Sequence, residues 1–132
     1  MLTLEFTIDI TPKPKARPRF TRRGFAYTPK ETVEYEREIR NCAAEYMELR
    51  GLEPLETPVA VYLHFSMPTP KSLSKNAPKM HTKRPDVDNL AKSVLDGLSP
   101  CWKDDSQVWS LSMKKTYATV PCVSIRIVAT VE

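Results

Sequence analysis

From Leu2 to Ile10 every second residue is apolar (Leu2, Leu4, Phe6, Ile8, Ile10), and Thr3, Glu5, Thr7 and Asp9 stand between them. A period of two sends alternate side chains to opposite faces of an extended chain, so this segment predicts a β-strand with one buried face. The pattern returns at Val59, Val61, Leu63, Phe65 and Met67, which alternate with Ala60, Tyr62, His64 and Ser66. Two further strands are predicted near the end of the chain. One carries Gln107, Trp109, Leu111 and Met113 on one face, the other Val123, Ile125, Ile127, Ala129 and Val131, with a hairpin turn at Ala118 to Pro121. A sheet that is apolar on one face must bury that face against another layer.

Two helical segments supply the layer. Thr28-Pro29-Lys30-Glu31 reads as a capping box, with Thr28 as N-cap, Pro29 at the first helical position and Glu31 at the third. The helix runs to about Arg50, with Tyr35, Ile39, Cys42, Tyr46 and Leu49 as its apolar stripe and Gly51 as its stop. A shorter helix, Val87 to Leu98, shows Val87, Leu90, Val94 and Leu98 on one side, before a turn with Gly97, Ser99 and Pro100. Met47, Met67 and Met113 follow the apolar faces into the core. Trp102 and Trp109 read as core or as an interface between copies. The expectation is an α+β fold in the order β-α-β-α-β-β, a single mixed β-sheet of about four strands with two helices packed on one face. The 132 residues suit a single domain, residues 1–132, and there is no internal repeat.

The two long connections carry the charge. Residues 11–27 hold Pro12, Pro14 and Pro18 and predict an extended arm; residues 68–85 hold Pro68, Pro70, Pro78 and Pro85 and form a polar loop of a length that is usually functional or disordered. Lys13, Lys15, Arg17, Arg19, Arg22, Arg23 and Lys30 follow one another with no acid among them, as do Lys71, Lys75, Lys79, Lys83 and Arg84. Acids gather instead at Glu31 to Glu56 and at Asp86 to Asp105. Basic tracts beside an acidic cluster suit a polyanion partner and a cation site; solvated loops are the competing reading. Cys42, Cys101 and Cys122 are odd in number and form no CxxC, which argues against a disulfide framework or zinc site and for a reducing compartment. The alternating N-terminus is no signal peptide, and no run reaches the ~18 apolar residues of a membrane span. The expected setting is cytoplasmic, with no membrane partner.

The chemistry concentrates in His81-Thr-Lys-Arg-Pro-Asp86-Val-Asp88-Asn89-Leu-Ala-Lys92 and in Lys103-Asp104-Asp105-Ser-Gln. Hard cations such as Mg²⁺ prefer carboxylate oxygens, activate water and neutralise phosphate charge. On a helix, Asp86 and Asp88 would point about 200° apart. Pro85 keeps the approach to the helix extended, so Asp86 sits before it, Asp88 opens it, and both meet at an N-terminus that favours anions. Lys92, four residues on, shares a face with Asp88, either to hold a phosphate or to form a surface ion pair. Asp105, beside a turn, would be a third carboxylate. Asp104 reads as a turn former, Asp96 as surface or as a support just behind the acids, and Asn89 as a helix cap or as a group that orients a carboxylate. His81 is a base, a phosphate contact or a locally bonded loop histidine. Phe20 and Phe25 either stack on bases or pack the arm onto the body. A bare DxD also recurs in caps and turns.

These residues resemble those of the RusA-type crossover junction endodeoxyribonucleases. The likeness rests on Lys15-Ala-Arg17-Pro-Arg19-Phe-Thr-Arg22-Arg23-Gly, Tyr27-Thr-Pro-Lys30, the stretch from His81 to Lys92, Asp96-Gly-Leu, and Asp104-Asp105-Ser-Gln107-Val108. Pro100-Cys101-Trp102 departs from it. The resemblance implies Mg²⁺-dependent resolution of four-way DNA junctions by a homodimer of mixed α/β fold, of phage, prophage or bacterial origin, in recombination and repair. It implies catalytic and metal-binding roles for Asp86, Asp88 and Asp105 and a catalytic role for Lys92. A four-way junction needs two symmetric nicks, which two copies supply. The basic tracts would contact phosphates. A nuclease for flaps or forks, and a branched-DNA-binding module without catalysis, are the alternatives.

Overall fold

The structure is a computed structural model describing residues 1–130, so the expected strand position of Val131 lies outside the described residues. Leu2–Ile8 form β1, Arg19–Phe20 β2, Ala26–Tyr27 β3 and Val59–Pro68 β4; Val108–Ala118 form β5 and Cys122–Ala129 β6. Lys30–Leu49 form α1 and Val87–Gly97 α2. The fold is the expected α+β, with a mixed four-stranded sheet in the order β1-β6-β4-β5. Leu4 and Ile8 of β1, Val61 to Met67 of β4 and Val123 to Ala129 of β6 bury their inward side chains with Tyr35, Ile39, Ala43 and Met47 of α1 and Leu90, Val94 and Leu98 around α2. Phe65, Ile125 and Ile127 are almost fully buried, which stabilises by roughly 1.5–3 kcal/mol each. The opposite sheet face is polar, carrying Thr7, His64, Lys114 and Ser124, with the Arg126 guanidinium 4.2 Å over the Tyr62 ring.

The hairpin expected at Ala118 to Pro121 does not form. β5 pairs parallel with β4, and β6 pairs antiparallel with both β4 and β1. The chain therefore steps over the end of β4, two strand spacings or about 10 Å, which the few residues after Ala118 can span. The more apolar β6 takes the central place and β5 the edge. Ser110 faces Ala60 while Val108 faces Val59, so Trp109 is the extra residue of a bulge, 71% exposed, and only Trp102 is core.

Other local corrections follow from geometry. Pro29 is the N-cap of α1 and no side chain caps the helix, so Thr28 forms no capping box; the Pro29 carbonyl accepts from Thr32 N–H instead. The buried stripe is Thr32, Tyr35, Ile39, Ala43 and Met47. Leu49, two residues beyond Met47, is turned about 200° away and is 80% exposed. Gly51 does end α1: its N–H bonds the Glu48 carbonyl and Leu52 N–H bonds that of Met47. Gly97 belongs to α2 rather than to the turn after it. A Cβ there would lie 2.6 Å from Ile39 Cγ2, so glycine lets α1 and α2 approach closely.

Candidate active site and nucleic-acid surface

Asp86 precedes α2 in extended conformation, with φ −68° and ψ 143°, and Asp88 lies in the first helical turn. Both are exposed, and Asp86 makes no capping hydrogen bond. Among the described residues none of Asp86, Asp88 and Lys92 takes part in an ion pair, so the surface pair considered for Asp88 and Lys92 is not made. Two carboxylates thus stand uncommitted at the positive end of a helix dipole. Asn89 is within the helix, and its carbonyl accepts from Lys15 N–H at 3.0 Å rather than its side chain capping.

The approach to Asp86 is held from the sheet. Residues Lys79 to His81 run along β5: Tyr117 N–H donates to the Lys79 carbonyl at 2.8 Å and His81 N–H to that of Lys115 at 3.1 Å. The Lys115 ammonium donates to the carbonyls of Lys83 and, at 2.6 Å, Pro85, the residue before Asp86. Sequence reasoning missed this clamp. The available signal was a lysine in register with Leu111 and Met113, on the apolar side of a strand. His81 is buried beside the Tyr117 ring, and its Nδ1 has no partner. Burial, and then the Lys115 charge, lower its pKa. It is neither a loop histidine with a side-chain hydrogen bond nor an exposed phosphate contact.

Asp105 opens a 3-10 turn, Asp105–Gln107, just before β5. Trp102 Nε1–H donates to Asp105 Oδ1 at 3.0 Å. Asp104 is the turn former: its carboxylate accepts from Ser106 N–H, and the Gln107 side chain accepts from Asp104 N–H. The Gln107 amide also donates to the carbonyls of Leu55 and Thr57, at 2.8 and 2.9 Å. Asp105 and Lys92 line one pocket of about 340 Å³ with Lys15, Leu95, Asp96, Trp102 and Val108. Asp86 and Asp88 stand outside that pocket, at the start of the helix that carries Lys92. Among the described residues, no three His, Cys, Asp or Glu side chains converge as a metal cluster. Cys101 is buried, its thiol pushed up to about 12, so it stays protonated.

The basic tracts differ in detail. Lys13, Arg17, Arg19, Arg22 and Arg23 are exposed, as are Lys71, Lys75, Lys79, Lys83 and Arg84. The Lys15 ammonium turns inward to Glu36 and, at 2.9 Å, to Asp96. Burial opposes its charge, but the bonds and charges of Glu36 and Asp96 outweigh that and raise its pKa. The arm is not wholly irregular either: β2 and β3 pair, Arg19 with Tyr27 and Phe20 with Ala26.

The model of the endodeoxyribonuclease RusA family matches residues 9–128, from the residue after β1 to the penultimate residue of β6. The chain belongs to the RusA family. It is also 30% identical to the uncharacterized protein YqaN of Bacillus subtilis (strain 168) over 137 aligned residues, covering 94% of each chain. RusA membership makes it an endodeoxyribonuclease of the Holliday-junction-resolving kind, acting on branched DNA in recombination. No helix among the described residues is long and apolar enough to cross a membrane.

Proposed function

We propose that this RusA-family chain is one functional unit, residues 1–132, that resolves four-way junctions as a homodimer, placing two symmetric Mg²⁺-dependent nicks. The observation that supports this best is the uncommitted Asp86 and Asp88 pair at the start of α2, with Lys92 one turn along and Asp105 across the adjoining pocket. The donor chemistry fits a hard cation. Mg²⁺ is commonly held by one or two carboxylates together with water and substrate phosphate, so it needs no closed protein cage. Asp86, Asp88 and Asp105 would hold it. When bound, it supplies a more acidic water and charge neutralisation at phosphorus.

The chain's own groups do the rest. The start of α2 offers N–H groups and a positive dipole end to a phosphate. Lys92 meets phosphate charge, and Trp102 fixes one oxygen of Asp105 while leaving the other free. Lys13, Arg17, Arg19, Arg22, Arg23, Lys71, Lys75, Lys79, Lys83 and Arg84 contact the DNA backbone, and Lys15 anchors the arm beneath them.

Asp88→Asn is expected to abolish junction cleavage in Mg²⁺ while leaving junction binding intact or tighter, read by gel shift and product analysis on one synthetic four-way junction. Normal cutting by that variant would reject the site. Equal cutting of linear duplex would reject the junction preference.

A further inference from the structure

The β2–β3 hairpin presents aromatic rings to water on both of its faces. Arg19 pairs with Tyr27 and Phe20 with Ala26, and Thr21 N–H donates to the Phe25 carbonyl. Cross-strand partners share a face, so Arg19, Thr21, Phe25 and Tyr27 lie on one side and Phe20 and Ala26 on the other. Every residue from Arg17 to Thr28 is exposed, with Phe20 at 69%, Phe25 at 68% and Tyr27 at 47%. The other two phenylalanines, Phe6 and Phe65, pack against or inside the core. Isolated exposed rings are ordinary. Three of them on a stretch with Arg17, Arg19, Arg22 and Arg23 and no acid form a surface suited to stacked bases and phosphates together.

The hairpin is built rather than loose. Gly24, at φ 86°, closes its tip by donating to the Thr21 carbonyl, and Thr21 Oγ1 accepts from Phe25 N–H. Its root is fixed to the body. Lys13 N–H donates to Tyr35 Oη at 3.2 Å, Lys15 N–H to the Asn89 carbonyl at 3.0 Å, and the Lys15 ammonium holds Glu36 and Asp96. Asn89 is the residue after Asp88, so the finger is hydrogen-bonded to the helix of the candidate catalytic acids.

We propose that this hairpin is a blade that enters the branch point of a DNA junction, Phe20 stacking on a base on one side and Phe25 on the other. The idea rests on the junction-endonuclease reading and adds to it the element that senses the branch. Phe20 lies five residues beyond Lys15, at most about 18 Å when extended. Allowing one further helical turn, about 5 Å, and ~3.4 Å per nucleotide of a strand, the cut falls within about seven nucleotides of the branch.

The test uses the whole chain in EDTA with a four-way junction carrying 2-aminopurine at the crossover, and a linear duplex of equal length. Wild type is expected to raise the probe's emission on binding. F20A/F25A should lose that rise and bind the junction more weakly, roughly tenfold or more per lost stack, with linear-duplex affinity unchanged. F20Y/F25Y should keep both properties. Junction binding and emission like wild type in F20A/F25A would overturn the proposal. So would a change of oligomeric state in that variant by light scattering, which would give the rings to a second copy of the chain. If wild type raises emission but yields no metal-dependent product, the blade stands and the nuclease reading falls.

Discussion

The arm at residues 11–27 and the loop at residues 68–85 look alike on paper, both rich in proline, basic and free of acids. They are built in opposite ways. The arm folds on itself into a hairpin and is anchored at its root, through Lys13 and Lys15, to the two helices. The loop has no strand pair of its own; its second half borrows the edge of β5 and is clamped by Lys115. The arm's four arginines therefore ride on a self-paired support anchored at its root, while Lys71 and Lys75 sit on a segment with few ties to the body. Rigid charge loses less entropy on binding, and arginine adds bidentate contacts to phosphate.

Neutralising each set is the strongest way to break this contrast. Replacing Arg17, Arg19, Arg22 and Arg23 by Gln, or Lys71, Lys75, Lys79 and Lys83 by Gln, removes up to four phosphate contacts and flattens the log–log salt slope by up to about 3.6. We expect the arm variant to lose more affinity, by up to about 10³-fold at low salt; equal losses would erase the distinction. Next in size is Gly97→Ala. The added methyl meets Ile39 where α1 and α2 touch, and overpacking should cost about 1–3 kcal/mol in urea unfolding. Because the arm is anchored on both helices, its junction affinity should fall with stability while the loop's salt slope holds. Third, Lys115→Met should unclamp the approach to Asp86. Turnover is expected to fall about tenfold, equivalent to ~1.4 kcal/mol, with binding to linear duplex unchanged; unaltered turnover would show the clamp to be ornamental.

The smallest effect is acid sensitivity. Burial, then neighbouring lysine charge, lowers the pKa of both His64 and His81. A histidine depressed in the folded state gives stability that is present above its unfolded pKa near 6.5 and lost as pH falls below it. Thermal midpoints should decline on acidification below about pH 6.5, less steeply in His81→Asn. A decline of the same slope in that variant would remove His81 from the account.

What the chain discloses in advance depends on the range of the interaction. The strand faces of β1, β4 and β6 and the Gly51 stop are local, set by alternation and by one residue's backbone, and were legible. So was the extended Asp86 ahead of a helical Asp88, because Pro85 acts on its neighbours. The swap of β5 and β6 was not legible, since alternation says which face is buried but not which strand lies beside which. The hairpin in the arm escaped because its rings are not buried and give no periodic signal. Lys115 and Gln107 act on main-chain carbonyls distant in the chain, and the Trp102–Asp105 bond, though it spans only three residues, depends on the turn between them; composition carries no trace of either.

The central place of β6 also bears on how quickly the molecule assembles. Leu2 pairs with Ala129 and Ile8 with Val123, so the sheet is completed by contacts between remote parts of the chain. Closing such loops is entropically uphill before any pairing rewards it, and domains dominated by distant contacts fold on the order of milliseconds to seconds. Until β6 is seated, β1 has no partner and the β4–β5 pair stands alone. Cavity-forming changes at Ile125 or Ile127 would thus report on whether that insertion limits the folding rate or follows it.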